Sequence, residues 1–346
     1  MIRLALLLIV SLAALGVCVF GAIVEWAAFL RSWLAATLAW GVLPLTGIAV
    51  LMVHGLTGGA WGEHSRPVWR ALAATMPLFV LAMVPLLFGL DELFVWTQPK
   101  EELPEVVQHK LLYLNVPFFQ ARSALYFVVW LALAGLVGAW HERRARFVNG
   151  PALVLWVFTI TFFSIDWIMS LEPKFYSDVF GLIIATGAAS AGFAFGLLLS
   201  VRDAGESVRL DIANIWLTLL LGWAFMCFAQ MIIIWQGNIP HEIEWYVHRH
   251  RDHWRLLVWM AFVLFLALPF GVLLSTSAKR RAGWLLAAAT LCLCGHVAYV
   301  YWLIMPSYES WLPAQYWLGP AALIGLGAAF IAMAQWRLAR LELRHG

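Results

Sequence analysis

The chain has 346 residues, of which 63% are hydrophobic and only 12% are charged. Soluble domains carry about 25% charged residues, so this composition excludes an ordinary soluble protein and indicates an integral membrane protein. The 21 tryptophans agree with that class, because indole rings gather at the two membrane–water interfaces. A net charge of +3 is too small to suggest a nucleic-acid partner.

Ten apolar stretches are long enough to cross a bilayer, since a helical span needs about 20 residues. The first stretch has no signal-peptide cleavage motif and is expected to remain as a transmembrane helix. We therefore predict an all-α, polytopic membrane protein. The predicted spans are 3–24, 35–56, 69–90, 111–139, 152–171, 179–200, 212–235, 254–274, 283–304 and 315–336.

The basic residues predict an orientation. Of the 22 Lys and Arg residues, 14 lie in the termini and the even-numbered connections, seven lie in the odd-numbered connections, and Arg122 lies inside a span. Because cytoplasmic loops are enriched in Lys and Arg, both termini are expected in the cytoplasm of a bacterial inner membrane. The odd-numbered connections then face outward.

Asp166 is the most unusual residue of the predicted spans, and it is expected about a turn and a half before a Glu172-Pro173 stop. An aspartate in hydrocarbon costs about 2.5–3.5 kcal/mol, so it is usually paired or marks a proton or ligand path. Arg122 and Gln230 are expected at a similar depth. Two interpretations stay open for Arg122 and Asp166: a structural ion pair, or a protonatable or ligand-binding station.

The histidines predict no metal or haem site. His54 and His296 lie at different depths, whereas two axial haem ligands need matched depths. His109 begins a span and is either solvated or placed for proton exchange with a quinol, while His296 is either a packing residue or a proton station. The remaining cluster lacks a metal-binding spacing and is expected to form a wet outer loop, as His241, His248, His250 and His253. The four cysteines fit no zinc or haem-attachment pattern either.

Four segments carry a resemblance to a known family. They are HKLLYLNVPFFQAR at 109–122, DWIMSLEPKFYSDVFG at 166–181, QMIIIWQGNIPHEIEWYVHR at 230–249 and YWLIMP at 301–306. In this order they resemble the ActF family, the integral membrane subunits of alternative complex III, within the wider NrfD/PsrC-like family. That complex is a quinol:cytochrome c oxidoreductase of the respiratory chain. The resemblance covers nearly the whole chain.

The resemblance implies one membrane domain with two four-helix bundles, at 35–175 and 176–304. A first helix at 1–34 and a last helix with a cytoplasmic tail at 305–346 flank them. It implies a subunit without its own cofactor, which is non-catalytic rather than a stand-alone enzyme. The implied partners are an ActC-like membrane paralogue, periplasmic iron–sulfur and c-type haem subunits, the quinone pool and lipid.

The resemblance and the residue patterns together nominate two sets of site residues. The candidates for a quinone pocket or proton translocation path are Asp166, Arg122, His109, Gln230 and His296. The candidates for docking periplasmic subunits are Asp91, Glu92, Glu172, Asn238, His241, Glu242 and Glu244. No catalytic residue and no metal ligand is nominated. The chain departs from the family at Ala298-Tyr299-Val300, where an acidic residue is expected.

Two other functions stay open. A secondary transporter is expected to have broken helices in corresponding halves and substrate groups at the midplane, whereas these polar groups gather near one face. An assembly factor for a respiratory oxidase is expected to carry a Cys or His metal set on its outer surface, and the sequence has no such pattern.

Overall fold

The computed structural model describes residues 2–139, 142–251, 253–308 and 311–342. All regular secondary structure in these ranges is helical. Within these ranges ten helices are long and apolar enough to cross a membrane, which confirms the predicted all-α polytopic class. We number them α1 Ile2–Val24, α2 Trp26–Thr57, α3 Ala60–Phe88, α4 Val116–Val137, α5 Phe147–Leu171, α6 Phe180–Ser200, α7 Glu206–Gly237, α8 Trp254–Leu274, α9 Ala282–Ser307 and α10 Gln315–Leu341.

Several helices begin at other residues than predicted. α2, α3 and α7 start six to nine residues earlier than the apolar stretches at 35, 69 and 212. Hydropathy identifies only the part of a helix that lies in hydrocarbon. The first turns of α3 carry polar side chains on one side, so the hydropathy pattern does not include them in the span. α4 starts later than predicted, at Val116, because the Asn115 side chain accepts a hydrogen bond from the Phe118 backbone N–H (3.1 Å) and caps the helix.

α2 is the central helix, and most of its side chains are buried. It contacts α3, α4 and α5 and also α6, α9 and α10. Its crossing with α6 is close because a Cβ atom on Gly192 would lie 2.2 Å from the Thr46 hydroxyl oxygen. That hydroxyl donates to the Ala188 carbonyl at 2.9 Å. Small residues at the crossing thus let the two backbones approach.

α1 and α10 lie against one side of this core. α1 packs on α10 and α2, and the Ser11 hydroxyl donates to the Gly325 carbonyl at 2.9 Å. Most other α1 side chains are exposed and apolar, so α1 presents a wide surface to lipid.

α8 is irregular in its middle. An α-helical segment, Trp254–Met260, is followed by a π-helix, Ala261–Ala267, and by another α-helical segment, Leu268–Leu274. The π-helix packs against α9, where a Cβ atom on Gly295 would lie 2.3 Å from the Phe265 backbone nitrogen. The chain stays helical throughout, so α8 lacks the unwound break typical of transporter binding sites.

The connections form two faces. We call the face with the described chain ends the terminal face and the face of the odd-numbered connections the distal face. On the distal face the α3–α4 connection forms four short helical turns and buries Trp96, Leu103 and Val107, so it folds onto the protein. The α7–α8 connection contains a helix, Pro240–Arg249, so His241 and His248 lie on a helix and not in the predicted wet loop. His250 and His253 follow that helix and are exposed, as predicted.

Candidate functional site

Arg122 and Asp166 form a buried ion pair between α4 and α5. The Arg122 Nε and Nη2 atoms donate to the Asp166 Oδ2 and Oδ1 atoms, each at 2.9 Å. Tyr126, one turn further along α4, donates its hydroxyl to Asp166 Oδ2 at 2.8 Å. Asp166 is 0% exposed. The two charges meet as expected, and the carboxylate has three donors around it.

Aromatic rings enclose the guanidinium group of Arg122. Its Cζ atom lies 3.8 Å from the centre of the Tyr113 ring and 4.3 Å from that of Phe118. The remaining Nη1 atom donates to the Tyr113 backbone carbonyl at 3.0 Å. Cation–π contacts and this carbonyl thus satisfy the arginine where water is excluded. Such a site holds two helices together and keeps the carboxylate in one orientation.

The end of α5 fixes the position of Asp166. The α-helical part ends at Trp167, and a 3₁₀ turn, Met169–Leu171, follows it. Asp166 therefore lies in the last turn of the α-helical part and five residues before the end of α5 at Leu171, which agrees with the predicted turn and a half. The Ser170 hydroxyl donates to the Asp166 carbonyl and in turn accepts the Trp96 indole N–H at 3.3 Å. The Ser170 hydroxyl thus gives a hydrogen bond to a backbone carbonyl in the last turn of the helix, where carbonyl groups have no partner within the helix.

A second buried ion pair joins Arg249 to Glu172. Arg249 ends the short Pro240–Arg249 helix, is 1% exposed, and donates from Nη1 to Glu172 Oε1. Its Nη2 atom donates to the Leu303 carbonyl at 2.7 Å and to the Ser307 hydroxyl at 2.9 Å. Ser307 also donates to Glu172 Oε1 at 2.9 Å. The guanidinium therefore ties the ends of α5 and α9 to the α7–α8 connection.

Arg249 also contacts Trp245, whose backbone carbonyl accepts a hydrogen bond from Nη1 at 3.2 Å. Its Cζ atom lies 3.8 Å from the centre of the Trp245 ring. Burial lowers the pKa of Arg249, and the Glu172 carboxylate acts against that shift. Removing the carboxylate would leave a buried, uncompensated charge.

Sequence reasoning missed Arg249, because it treated the histidine-rich segment around it as solvated. One signal was available. Pro240 at a helix start, Glu242 in the first turn and Arg249 in the last turn match the start and stop pattern of a helix. In such a helix Trp245 and Arg249 are four residues apart and share a face.

An open cavity of about 870 Å³ lies on the distal face, and we call it the distal depression. Four predicted docking residues line it: Asp91, Glu92, Glu172 and Glu244. Its basic lining residues and its histidine are Arg31, Lys174, Arg251 and His248. Residues from the α3–α4, α5–α6 and α7–α8 connections thus meet around one cavity of mixed charge.

His248 lies between two carboxylates of the distal depression. Its Nδ1 atom is 3.6 Å from Glu172 Oε2, and its Nε2 atom is 3.6 Å from Glu244 Oε1. Glu172 therefore faces the buried Arg249 with one oxygen and the half-exposed His248 with the other. The buried ion pair is in this way connected to the surface of the depression.

The other docking candidates lie elsewhere. Asn238 ends α7 in the left-handed conformation (φ 48°, ψ 37°), and its backbone N–H donates to the Ile234 carbonyl at 3.1 Å. This is the usual role of Asn at a helix end. Glu242 is buried, so its side chain is not offered to a partner. The side chain of His241 lies outside the described part of the chain.

Gln230 does not join the Asp166 pair. Its Nε2 atom donates to the Tyr246 hydroxyl at 3.1 Å, so its partner belongs to the Pro240–Arg249 helix. Its Oε1 atom is buried and has no hydrogen-bond partner among the described residues. The predicted common depth therefore does not create one polar cluster.

His109 lies at the surface, as the solvated interpretation expects. Its side chain is 79% exposed, and its Nε2 atom is 3.9 Å from Glu105 Oε1. The neighbouring Lys110 instead donates its Nζ atom to the Pro173 carbonyl at 2.6 Å, and burial lowers its pKa. Lys110 thus joins the α3–α4 connection to the residue after Glu172.

His296 lines a small apolar cavity between α2, α5, α6 and α9, of about 50 Å³. Its Nε2 atom lies 3.1 Å from the Ala39 carbonyl and donates to it, which leaves Nδ1 as an acceptor without a partner among the described residues. A cavity that admits benzene measures about 150 Å³, so this one is too small for a quinone ring.

No group of three or more His, Cys, Asp or Glu residues in the described ranges is placed to hold a metal ion. The described residues offer instead two buried ion pairs, and Glu172 of one of them lines the distal depression. A scan of protein-family models and a search of curated proteins give no match to this chain.

Proposed function

We propose that this chain is a non-catalytic membrane subunit of a complex that transfers electrons from quinol to cytochrome c or another acceptor. Both termini are in the cytoplasm of a bacterial inner membrane, so the distal face is periplasmic. There it holds iron–sulfur and c-type haem subunits, beside an ActC-like paralogue in the membrane. The resemblance of the four segments to the ActF family supports this assignment.

The distal depression is the observation that carries the proposal. Four of the residues nominated for docking line one cavity, although they come from three separate connections. The buried Arg249 guanidinium joins two of these connections, because Arg249 belongs to the α7–α8 connection and Glu172 to the α5–α6 connection. It also binds the Leu303 carbonyl of α9. Binding to a surface that is already ordered loses little conformational entropy, and mixed charges select the orientation of a partner.

The Asp166–Arg122 pair is proposed to serve the quinol or proton chemistry of the complex. It lies near the distal end of α4 and α5, where protons released by quinol oxidation would leave toward the periplasm. Tyr126 adds a hydroxyl to the carboxylate at 2.8 Å. The electron carriers belong to the partner subunits.

The test is purification of the tagged chain from its native membrane in a mild detergent. The proposal predicts comigrating c-type haem, an iron–sulfur subunit, a second polytopic protein and quinol:cytochrome c reductase activity. A colourless chain that purifies alone and shows no quinol oxidation would contradict it.

A further inference from the structure

His248 has a carboxylate on each side of its imidazole ring. Its Nδ1 atom is 3.6 Å from Glu172 Oε2, and its Nε2 atom is 3.6 Å from Glu244 Oε1. His248 and Glu244 belong to the Pro240–Arg249 helix, whereas Glu172 follows the end of α5 at Leu171. The ring therefore lies between two separate connections of the distal face.

The protonation state of the ring determines whether both contacts are favourable. A neutral imidazole has one N–H donor and one acceptor nitrogen, whereas the imidazolium has two donors, and ionised carboxylates only accept. Between two carboxylates, the neutral ring presents a lone pair to one of them, and only the imidazolium attracts both. A histidine changes between these forms in the range of about pH 5 to 8.

Other charged groups also surround the distal depression. Glu172 faces Arg249 with its Oε1 atom and His248 with its Oε2 atom, so the buried ion pair holds the carboxylate beside the ring. The remaining charged lining residues are Arg31 of α2, Asp91 and Glu92 of the α3–α4 connection, Lys174 of the α5–α6 connection and Arg251 after the short helix. The side chains of His241, Asp252 and Glu309 lie outside the described part of the chain.

Ion pairs at a protein surface usually contribute little, because two long side chains lose conformational freedom to form them. The contact of His248 with Glu172 differs from such pairs. Arg249 and the Ser307 hydroxyl already fix the Glu172 carboxylate. The contact also crosses from the short helix to another connection, so a proton on the ring acts on the position of the whole helix. Trp245 of that helix lines the depression.

We propose that His248 is a proton-dependent link in the wall of the distal depression. The imidazolium holds the Pro240–Arg249 helix and Glu244 against Glu172, and loss of the proton removes one of the two attractions. This wall is therefore more stable at lower pH. A resulting pH dependence of docking rests on the proposed function, whereas the link itself does not.

The test is amide hydrogen exchange of the full chain in detergent, with exchange times scaled to the intrinsic rates. It compares about pH 5.5 with about pH 8, near the two ends of the range in which histidine titrates. His248→Gln should accelerate exchange of the Pro240–Arg249 helix about fivefold at the lower pH, the upper range for a surface ion pair. At the higher pH the acceleration should stay below about twofold, because the replaced ring is then neutral.

Two further variants accompany this one. His250→Gln is the matched control, because His250 is exposed, follows the same helix and has no ion-pair partner among the described residues. It should leave exchange unchanged at both pH values. Glu244→Gln keeps the ring and removes one carboxylate, so it should accelerate exchange at the lower pH only.

Two outcomes would overturn the proposal. Equal acceleration by His248→Gln at both pH values would show that the ring acts through packing and not through its proton. Equal effects of His248→Gln and His250→Gln would show that the contacts of His248 do not hold the helix. No partner subunit takes part in this experiment, so a failure of the proposed docking cannot produce either result.

Discussion

At the residue scale, the Asp166 carboxylate accepts three hydrogen bonds and has no exposure to solvent. We expect Asp166→Asn to destabilise the protein by about 3–5 kcal/mol, because it leaves the Arg122 charge buried without its counter-charge. The measurement is thermal unfolding of the purified chain in detergent, together with the amount of protein found in the membrane.

A double-mutant cycle controls for lost packing. Arg122→Met removes the charge and keeps an apolar side chain between Tyr113 and Phe118. The double variant Arg122→Met, Asp166→Asn should be more stable than the sum of the single effects predicts. Additive effects, or an Asp166→Asn variant as stable as the unchanged chain, would show that the pair does not stabilise the fold.

Arg249→Lys is expected to destabilise the protein by about 2–4 kcal/mol, although it preserves the charge. A lysine cannot reach Glu172, Leu303 and Ser307 together, so buried acceptors lose charge-assisted hydrogen bonds. Arg251→Lys is the control, since Arg251 is exposed two residues further along. Thermal unfolding should show a lower unfolding temperature for Arg249→Lys than for Arg251→Lys. Equal unfolding temperatures would show that the hydrogen bonds of Arg249 do not stabilise the fold.

The two arginines show how far the sequence predicts the site. Asp166 and Arg122 were identifiable because each is a lone charge in an apolar run, and a short connection makes their helices antiparallel neighbours. Arg249 could not be identified from the sequence, because it lies among other charged residues and only tertiary packing buries it. The hydrogen bond of Gln230 to Tyr246 was not predicted, because the depth of a residue does not determine which neighbouring helix its side chain faces.

At the scale of the helices, the contact of α9 with the π-helix of α8 depends on Gly295. We expect Gly295→Ala to destabilise the protein by about 1–3 kcal/mol, because the added Cβ atom would lie 2.3 Å from the Phe265 backbone nitrogen. Gly271→Ala in α8 is the control. Nothing lies within 4 Å of its added Cβ atom, so stability should be unchanged or rise by up to about 1 kcal/mol.

Thermal unfolding of the two glycine variants measures this difference. If Gly295→Ala unfolds at the same temperature as Gly271→Ala, the close approach of α8 and α9 is not a constraint on the fold. The π-helix itself was not predictable, because it changes the hydrogen-bond register of α8 without any change in composition. The helix ends were predictable only approximately, since turns that contain charged residues extend α2, α3 and α7 at their starts.

At the scale of the molecule, composition and hydropathy predicted the class and the number of spans, because a bilayer admits few ways to satisfy backbone polar groups. They did not predict the distal depression. Its lining residues extend along the chain from Arg31 to Tyr308, and only the packing of the connections brings Glu92, Glu172 and Glu244 to one cavity.

The docking of redox subunits at the distal depression is the central claim, and a charge reversal tests it most directly. Glu92→Lys should reduce the haem that copurifies with the tagged chain, because it places a like charge against a complementary partner surface. Glu63→Lys makes the same change at an exposed residue near the start of α3, toward the terminal face, and should leave the haem content as in the unchanged chain.

The ratio of copurified c-type haem to tagged chain is therefore the measurement to make, with membrane content confirming that both variants accumulate equally. The account predicts a loss of most of the haem with Glu92→Lys and none with Glu63→Lys. Full haem retention by Glu92→Lys, or an equal loss in both variants, would contradict docking at the distal depression.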